Sequence, residues 1–273
     1  MSKRGFPYLS IIRGVKRLLG TWSLVISYRT WRIGGSFRER LTDQHKWESL
    51  LACKRQTPAL SNSLLAGLVD VGCGWGRWTI AAARAGFRPI GLDVHIDALA
   101  PGVRVLRQLD VRADYVCREA DRLPFPSASV DFVFSYSLLQ HLEKSAVMRF
   151  FSEVSRVLKP KGVCLVQLPN VLGLHNMLQQ AKRGFREGRS GTFEMRYWST
   201  KAIRQAVEMA GLKDMAIRPE GFFTQNPQLS DLDLLSPKGK MIVLVSNAGR
   251  KLAAMFPIVT GLADSFWVEA RVR

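Results

Sequence analysis

Cysteine and histidine are scarce here, four of each in 273 residues. Cys53, Cys73, Cys117 and Cys164 form no CxxC pair. His45, His95, His141 and His175 have neither metal-ligand spacing nor acids beside them in a ligand pattern, so no metal is expected. Three of the cysteines sit in or beside strand-like apolar runs, where a thiol acts as a small hydrophobe. That usage suits a reducing, cytoplasmic setting. No apolar run reaches the about 18 residues of a membrane-crossing helix, and neither an internal repeat nor a low-complexity tract is visible. Acids are few as well: Asp and Glu total 22 against 40 Lys and Arg, a net charge of +18. Such a field implies an anionic partner, whether nucleic acid, a phospholipid surface or a phosphate-bearing substrate. The plain alternative is a solvated basic surface. Hydrophobic residues make up 47% of the chain, enough for a globular core.

The most informative stretch is Leu68-Val69-Asp70-Val71-Gly72-Cys73-Gly74-Trp75-Gly76-Arg77-Trp78. It reads as a buried strand ending in an acid, then a glycine turn that opens a helix through Arg84. A turn without Cβ atoms lets backbone N–H groups approach a ligand at a helix start. A second acidic strand end, Asp93, follows Asp70 by 23 residues, the length of one helix and one more parallel strand. Its carboxylate suits a ribose diol. Gly72 and Gly76 are four positions apart, against five in a dinucleotide fingerprint.

This run resembles motif I of the Rossmann-like (class I) S-adenosylmethionine-dependent methyltransferases, small-molecule type. Arg118 to Pro126 resembles the family's Gly-Asp-Ala-x-x-Leu-Pro-Phe segment, Ser129 to Ser135 its fourth strand, and Glu153 to Gly162 the helix-to-strand turn before the fifth. The resemblance covers roughly 65 to 170 and implies S-adenosylmethionine as cofactor. It places Asp70, Gly72, Gly74 and Gly76 beside the methionine and ribose, and Asp93 on the ribose hydroxyls. Glu119, where the family has Asp, is placed at the adenine amino group, with the Ala120 backbone beside it. Ser135 falls at the methionine end. Two departures stand out: Pro160-Lys161-Gly162 replaces Pro-Gly-Gly, and Trp75 and Trp78 add bulk around the turn.

The expected fold is α/β, a doubly wound, Rossmann-like seven-stranded sheet, mostly parallel with an antiparallel last strand. Strands are predicted at 68–71, 89–93, 113–117, 130–135, 163–168 and 213–219, with the last from Phe266. Helices are predicted at 76–86, 96–109 and 142–158, a poorly patterned one near 119–129, and one after Ser199, read as its N-cap. Residues 61–273 are read as the methyltransferase domain, with insertions near 171–198 and 222–264. The first insertion reads as basic and unpatterned. In the second, Met241 to Val245 is read as helix or strand.

Residues 1–60 are read as a basic, aromatic arm. Its first 47 residues hold ten Lys and Arg against Glu39 and Asp43. An apolar stripe runs at helical spacing from Tyr8 to Trp22, with Arg13, Lys16 and Arg17 off it. The composition fits a helix lying in a membrane interface, an organellar targeting peptide, or an ordinary packed helix.

The resemblance implies methyl transfer, in which a base is needed only for a weakly acidic acceptor. His141, after the fourth strand, is the candidate; the alternative is a histidine that orients the loop. Tyr136, His175 and Tyr197 are weaker candidates by location. The leading reading is O-methylation of a small-molecule or lipid-linked, glycan-type acceptor, with peripheral membrane association. A quinone or polyprenyl acceptor, RNA, and a non-catalytic cofactor-binding role are the alternatives.

Overall fold

The computed structural model describes residues 66–186, 188, 189, 194–223 and 235–272. The arm therefore lies outside the described residues. Seven strands form one sheet in the order β3-β2-β1-β4-β5-β7-β6. They are β1 (Ala66–Val71), β2 (Phe87–Asp93), β3 (Asp114–Cys117), β4 (Val130–Ser135), β5 (Leu158–Pro169), β6 (Lys213–Gly221) and β7 (Ser265–Arg271). Strands β1 to β5 pair in parallel, and β7 runs antiparallel between β5 and β6. Consequently β6 also ends at the edge where β1, β2, β4 and β5 end.

Among the described residues, six α-helices connect them: α1 (Arg77–Arg84), α2 (Ile96–Leu109), α3 (Lys144–Val157), α4 (Leu174–Lys182), α5 (Thr200–Met209) and α6 (Pro237–Met255). Helix α3 shows why the pattern was readable. Val147, Phe150, Phe151, Val154 and Val157 fall on one stripe and are fully buried. They pack in one cluster with Val69, Val133 and Val166 of the sheet and Ile203 and Val207 of α5. Ser199 caps α5 by accepting from the Ala202 N–H.

Three expectations need correction. No helix forms at 119–129, which is a run of turns. Pro124 and Pro126 disfavour helical geometry in the residues before them. Arg156 of α3 fixes this run instead, donating to the carbonyls of Leu123 and Phe125 at 2.9 and 2.8 Å. Glu153 accepts from the Leu123 N–H, and its Arg156 partner holds its carboxyl below the usual range. Secondly, the stretch after β5 is not patternless, since it contains α4. Its first turn lacks a local side-chain cap and is satisfied from a distant residue, described below. Thirdly, Lys159 to Gly162 lies inside β5 as an irregularity rather than between elements. Lys161 takes φ 65° there, and the β4 pairing shifts between Val130 and Phe132. Met241 to Val245 is helical, within α6.

Candidate functional site

The glycine turn joins β1 to α1 at the carboxyl edge of the sheet. Gly72 and Cys73 donate to the Leu92 carbonyl at 2.7 and 3.1 Å, which ties the turn to the neighbouring end of β2. Gly76 sits at φ 87° as the N-cap of α1. Asp93 ends β2 beside this turn. Its Oδ2 accepts from the Gly74 N–H at 2.9 Å and its Oδ1 from the His95 N–H at 2.9 Å. An ionised carboxylate accepts at about four positions, so two remain after these bonds. Among the described residues, a Cβ built at Gly74 would meet nothing within 4 Å, so open space adjoins this turn. Glu119 and Ala120 follow β3, Glu119 exposed and Ala120 half-buried. The turn, Asp93 and Glu119 thus follow three successive neighbouring strands, β1, β2 and β3.

Asp70 and Ser135 are placed differently. Asp70 is buried and accepts from the Thr79 hydroxyl at 2.7 Å, joining β1 to α1. Burial pushes its carboxyl up to about 7, against the opposing effects of the Thr79 bonds and the nearby Arg77 charge. The buried Ser135 hydroxyl donates to the Val71 carbonyl at 2.9 Å, stitching β4 to β1. Each side chain is engaged in holding the strand ends together. Burial also raises the Cys73 thiol far above its ordinary value, which keeps it unreactive.

His141 ends a one-turn 3-10 helix, Leu139–His141, between β4 and α3. Its carbonyl accepts from Arg196 Nη1 at 3.1 Å. Arg196 is buried, and its guanidinium also donates to the carbonyls of Glu194 and Arg189. The segment before α5 is thereby clasped to the His141 turn. Tyr197 is half-buried in that segment, and burial raises its hydroxyl. His175 is exposed on α4, with Nε2 3.3 Å from Gln179 Nε2.

Two groupings escaped the sequence reading. Trp78, Phe134, Tyr136 and Trp267 form a ring cluster with centroid separations of 5.3 to 5.8 Å. The Arg77 guanidinium lies 5.0 Å from the Trp78 ring centroid and 5.7 Å from that of Tyr136. The aromatic residues at the end of β4 and just after the glycine turn were the available signal; Trp267 joins them only through the β5–β7 pairing. The second grouping centres on Asp264, fully buried before β7. Its Oδ1 accepts from the N–H groups of His175 and Asn176 at 2.7 and 3.2 Å, and its Oδ2 from the Phe223 N–H. This is the distant cap of α4. Among the described residues, no three His, Cys, Asp or Glu side chains are grouped to hold a metal.

Residues 68–162 match the methyltransferase domain family. Over that third of its length the chain is similar to methyltransferase domains. Its fold is shared with a methyltransferase of Methanosarcina mazei at TM-score 0.54 and 16% identity, over 79% of this chain and 97% of that one. A bifunctional biotin-biosynthesis protein of Cellvibrio japonicus is 32% identical over 55% of this chain. A malonyl-[acyl-carrier protein] O-methyltransferase of Serratia marcescens is 33% identical over 36% of it. The chain spans 28% of the first relative's length and 36% of the second's. Three features lie together at the carboxyl edge of the sheet. Open space lies at Gly74, a carboxylate with acceptor capacity to spare stands beside it, and an exposed carboxylate follows the next strand.

Proposed function

We propose that the protein methylates an oxygen of a small-molecule or lipid-linked acceptor. The observation that carries the cofactor half is the Asp93 carboxylate, held by the Gly74 and His95 N–H groups next to the open glycine turn. On this reading Asp93 accepts from the ribose hydroxyls and Glu119 from the adenine amino group, while Ala120 flanks the base. The turn from Gly72 to Gly76 bounds the methionine end. Asp70 and Ser135 act behind it by fixing where β1, β4 and α1 meet.

S-adenosylmethionine, when bound, supplies an electrophilic methyl group on a sulfonium with a neutral leaving group. The protein's share is alignment, which alone supplies a large part of such a rate enhancement. His141 is the base we assign for the acceptor hydroxyl, on the strength of its place after β4 and its clasped backbone. The likeness to a carrier-protein O-methyltransferase supports oxygen as the methylated atom. The basic balance of the chain supports an anionic or membrane-borne acceptor.

The test is transfer from methyl-labelled S-adenosylmethionine into a lysate of the source organism, partitioned into organic, RNA and aqueous fractions. Label in the organic or small-molecule fraction that hot hydriodic acid releases as methyl iodide, the mark of an O-methyl group, is expected, and it should be lost with His141→Ala. Label confined to RNA would replace this reading. Label in a quinone that hydriodic acid does not release would move the methylated atom to carbon.

A further inference from the structure

Both insertions leave the carboxyl edge of the sheet, and each exposes an apolar face. On α4, Leu174, Met177 and Leu178 recur at helical spacing and are all exposed, Leu178 by 63%. On α6, Leu244 and Met255 lie three turns apart on one side, with Met255 exposed by 72%. Ile258, in the 3-10 helix Pro257–Leu262 that follows, is exposed by 88%. The other side of α6 is already used, because Val243, Ser246 and Ala253 are buried. A helix apolar on two sides calls for two apolar neighbours, and the described residues supply one.

The two insertions are fixed to each other. Asn170 Nδ2 donates to the carbonyls of Gly261 and Ala263 at 2.7 and 2.8 Å, and Asp264 caps the first turn of α4. The exposed faces therefore belong to one joined structure beside the end of β5.

Charge decides the occupant. Residues 171–186 contain Lys182, Arg183 and Arg186 and no acid; residues 235–263 contain Lys238, Lys240, Arg250 and Lys251 and no acid. A second copy would set these cations against themselves. The first 47 residues, with ten cations and two acids, offer no complementary charge either. Apolar side chains interspersed with cations, on helices without acids, match a bilayer interface with anionic head groups. We propose that α4, α6 and the turn after α6 dock the protein on an anionic phospholipid surface, with the carboxyl edge of the sheet alongside it. The proposal gives a lipid-borne acceptor its route, yet it does not require methyl transfer to be correct.

The test is co-sedimentation of the full chain with vesicles of equimolar phosphatidylglycerol and phosphatidylcholine, against phosphatidylcholine alone. The parent should partition onto the anionic vesicles and be released by salt. The combined variant Leu178→Glu, Leu244→Glu, Ile258→Glu should partition roughly tenfold less or weaker still. All three positions are exposed, so circular dichroism and S-adenosylmethionine binding should be unchanged, which separates this result from failure of the cofactor reading. Lys182→Gln, Lys240→Gln, Lys251→Gln should lower the preference for anionic vesicles while leaving the fold intact. A triple-Glu variant that sediments like its parent would overturn the proposal, as would a parent indifferent to the vesicles. Self-association of the parent that the triple-Glu variant abolishes, without vesicle binding, would assign the face to a second copy instead.

Discussion

The side chain of Tyr115 fills the space that a Cβ at Gly76 would need. Its hydroxyl donates to the Trp75 carbonyl at 3.3 Å, and its ring also lies where a Cβ at Gly91 or Gly102 would fall. One ring of β3 thus wedges beneath the glycine turn, against β2 and α2. The last glycine of the turn exists to admit a protein side chain, whereas Gly74 borders open space.

That contrast separates two substitutions. Gly76→Ala combines left-handed strain at φ 87° with a collision against Tyr115. It should lower stability by about 3 kcal/mol, the sum of the two costs. Gly74→Ala meets no neighbour and should cost only about 1–2 kcal/mol for its positive φ. Its methyl group projects into the space assigned to the cofactor, so S-adenosylmethionine binding should suffer more than folding. Urea denaturation and calorimetric titration of both variants check this. Equal stability losses would remove the distinction.

Asp93→Ala leaves the domain folded but takes the carboxylate from beside the turn. Loss of a charge-assisted hydrogen bond to a ribose hydroxyl is worth about 1.5–3 kcal/mol, so the dissociation constant should rise roughly 10- to 100-fold. Calorimetric titration reads it directly. An unchanged affinity would remove Asp93 from the site.

What the sequence made legible was local. Helix α2 falls at 96–109 as predicted, and the strand ends at Val71, Asp93 and Ser135 follow from short apolar runs that stop at polar or glycine residues. What stayed hidden was non-local. The run at 119–129 is held by α3 through Glu153 and Arg156, about 30 residues away. Helix α4 takes its cap from Asp264, 89 residues beyond His175, so no capping residue announces it. The stretch from Met241 to Val245 was ambiguous because α6 is apolar on both sides. At the candidate site, the turn after β1 and the acidic end of β2 at Asp93 were readable from spacing. Burial is not, and it separates Asp70 and Ser135 from Asp93 and Glu119.

Asp70 should make stability depend on pH. Its folded carboxyl titrates at about 7, while the unfolded chain has the ordinary value near 3.8. Below both values the group is protonated in either state and contributes nothing. Between them the unfolded state ionises first and binds fewer protons, so stability falls as pH rises, then levels off above about 7. The full span is about 4 kcal/mol. Asp70→Asn is neutral throughout and keeps an acceptor for Thr79. It should therefore match the parent near pH 4 and exceed it above about pH 7. Urea denaturation across this range decides it; parallel curves for the two proteins would show that Asp70 does not titrate this way.

Asp264→Ala tests whether one carboxylate holds the two insertions together. Removing it leaves the N–H groups of His175, Asn176 and Phe223 without that acceptor in a buried setting. Each unsatisfied donor costs about 1–3 kcal/mol unless the segment opens to water. Opening is the cheaper outcome for α4, which is nine residues long and exposes most of its surface. The loss should therefore appear as local fraying more than as global unfolding. Hydrogen exchange should accelerate at the His175 and Asn176 amides and through the first turn of α4, while β1, β4 and α3 retain their protection. Unaltered exchange at those two amides would mean that Asn170 and the chain around it suffice to hold α4, and that Asp264 is not its cap in solution.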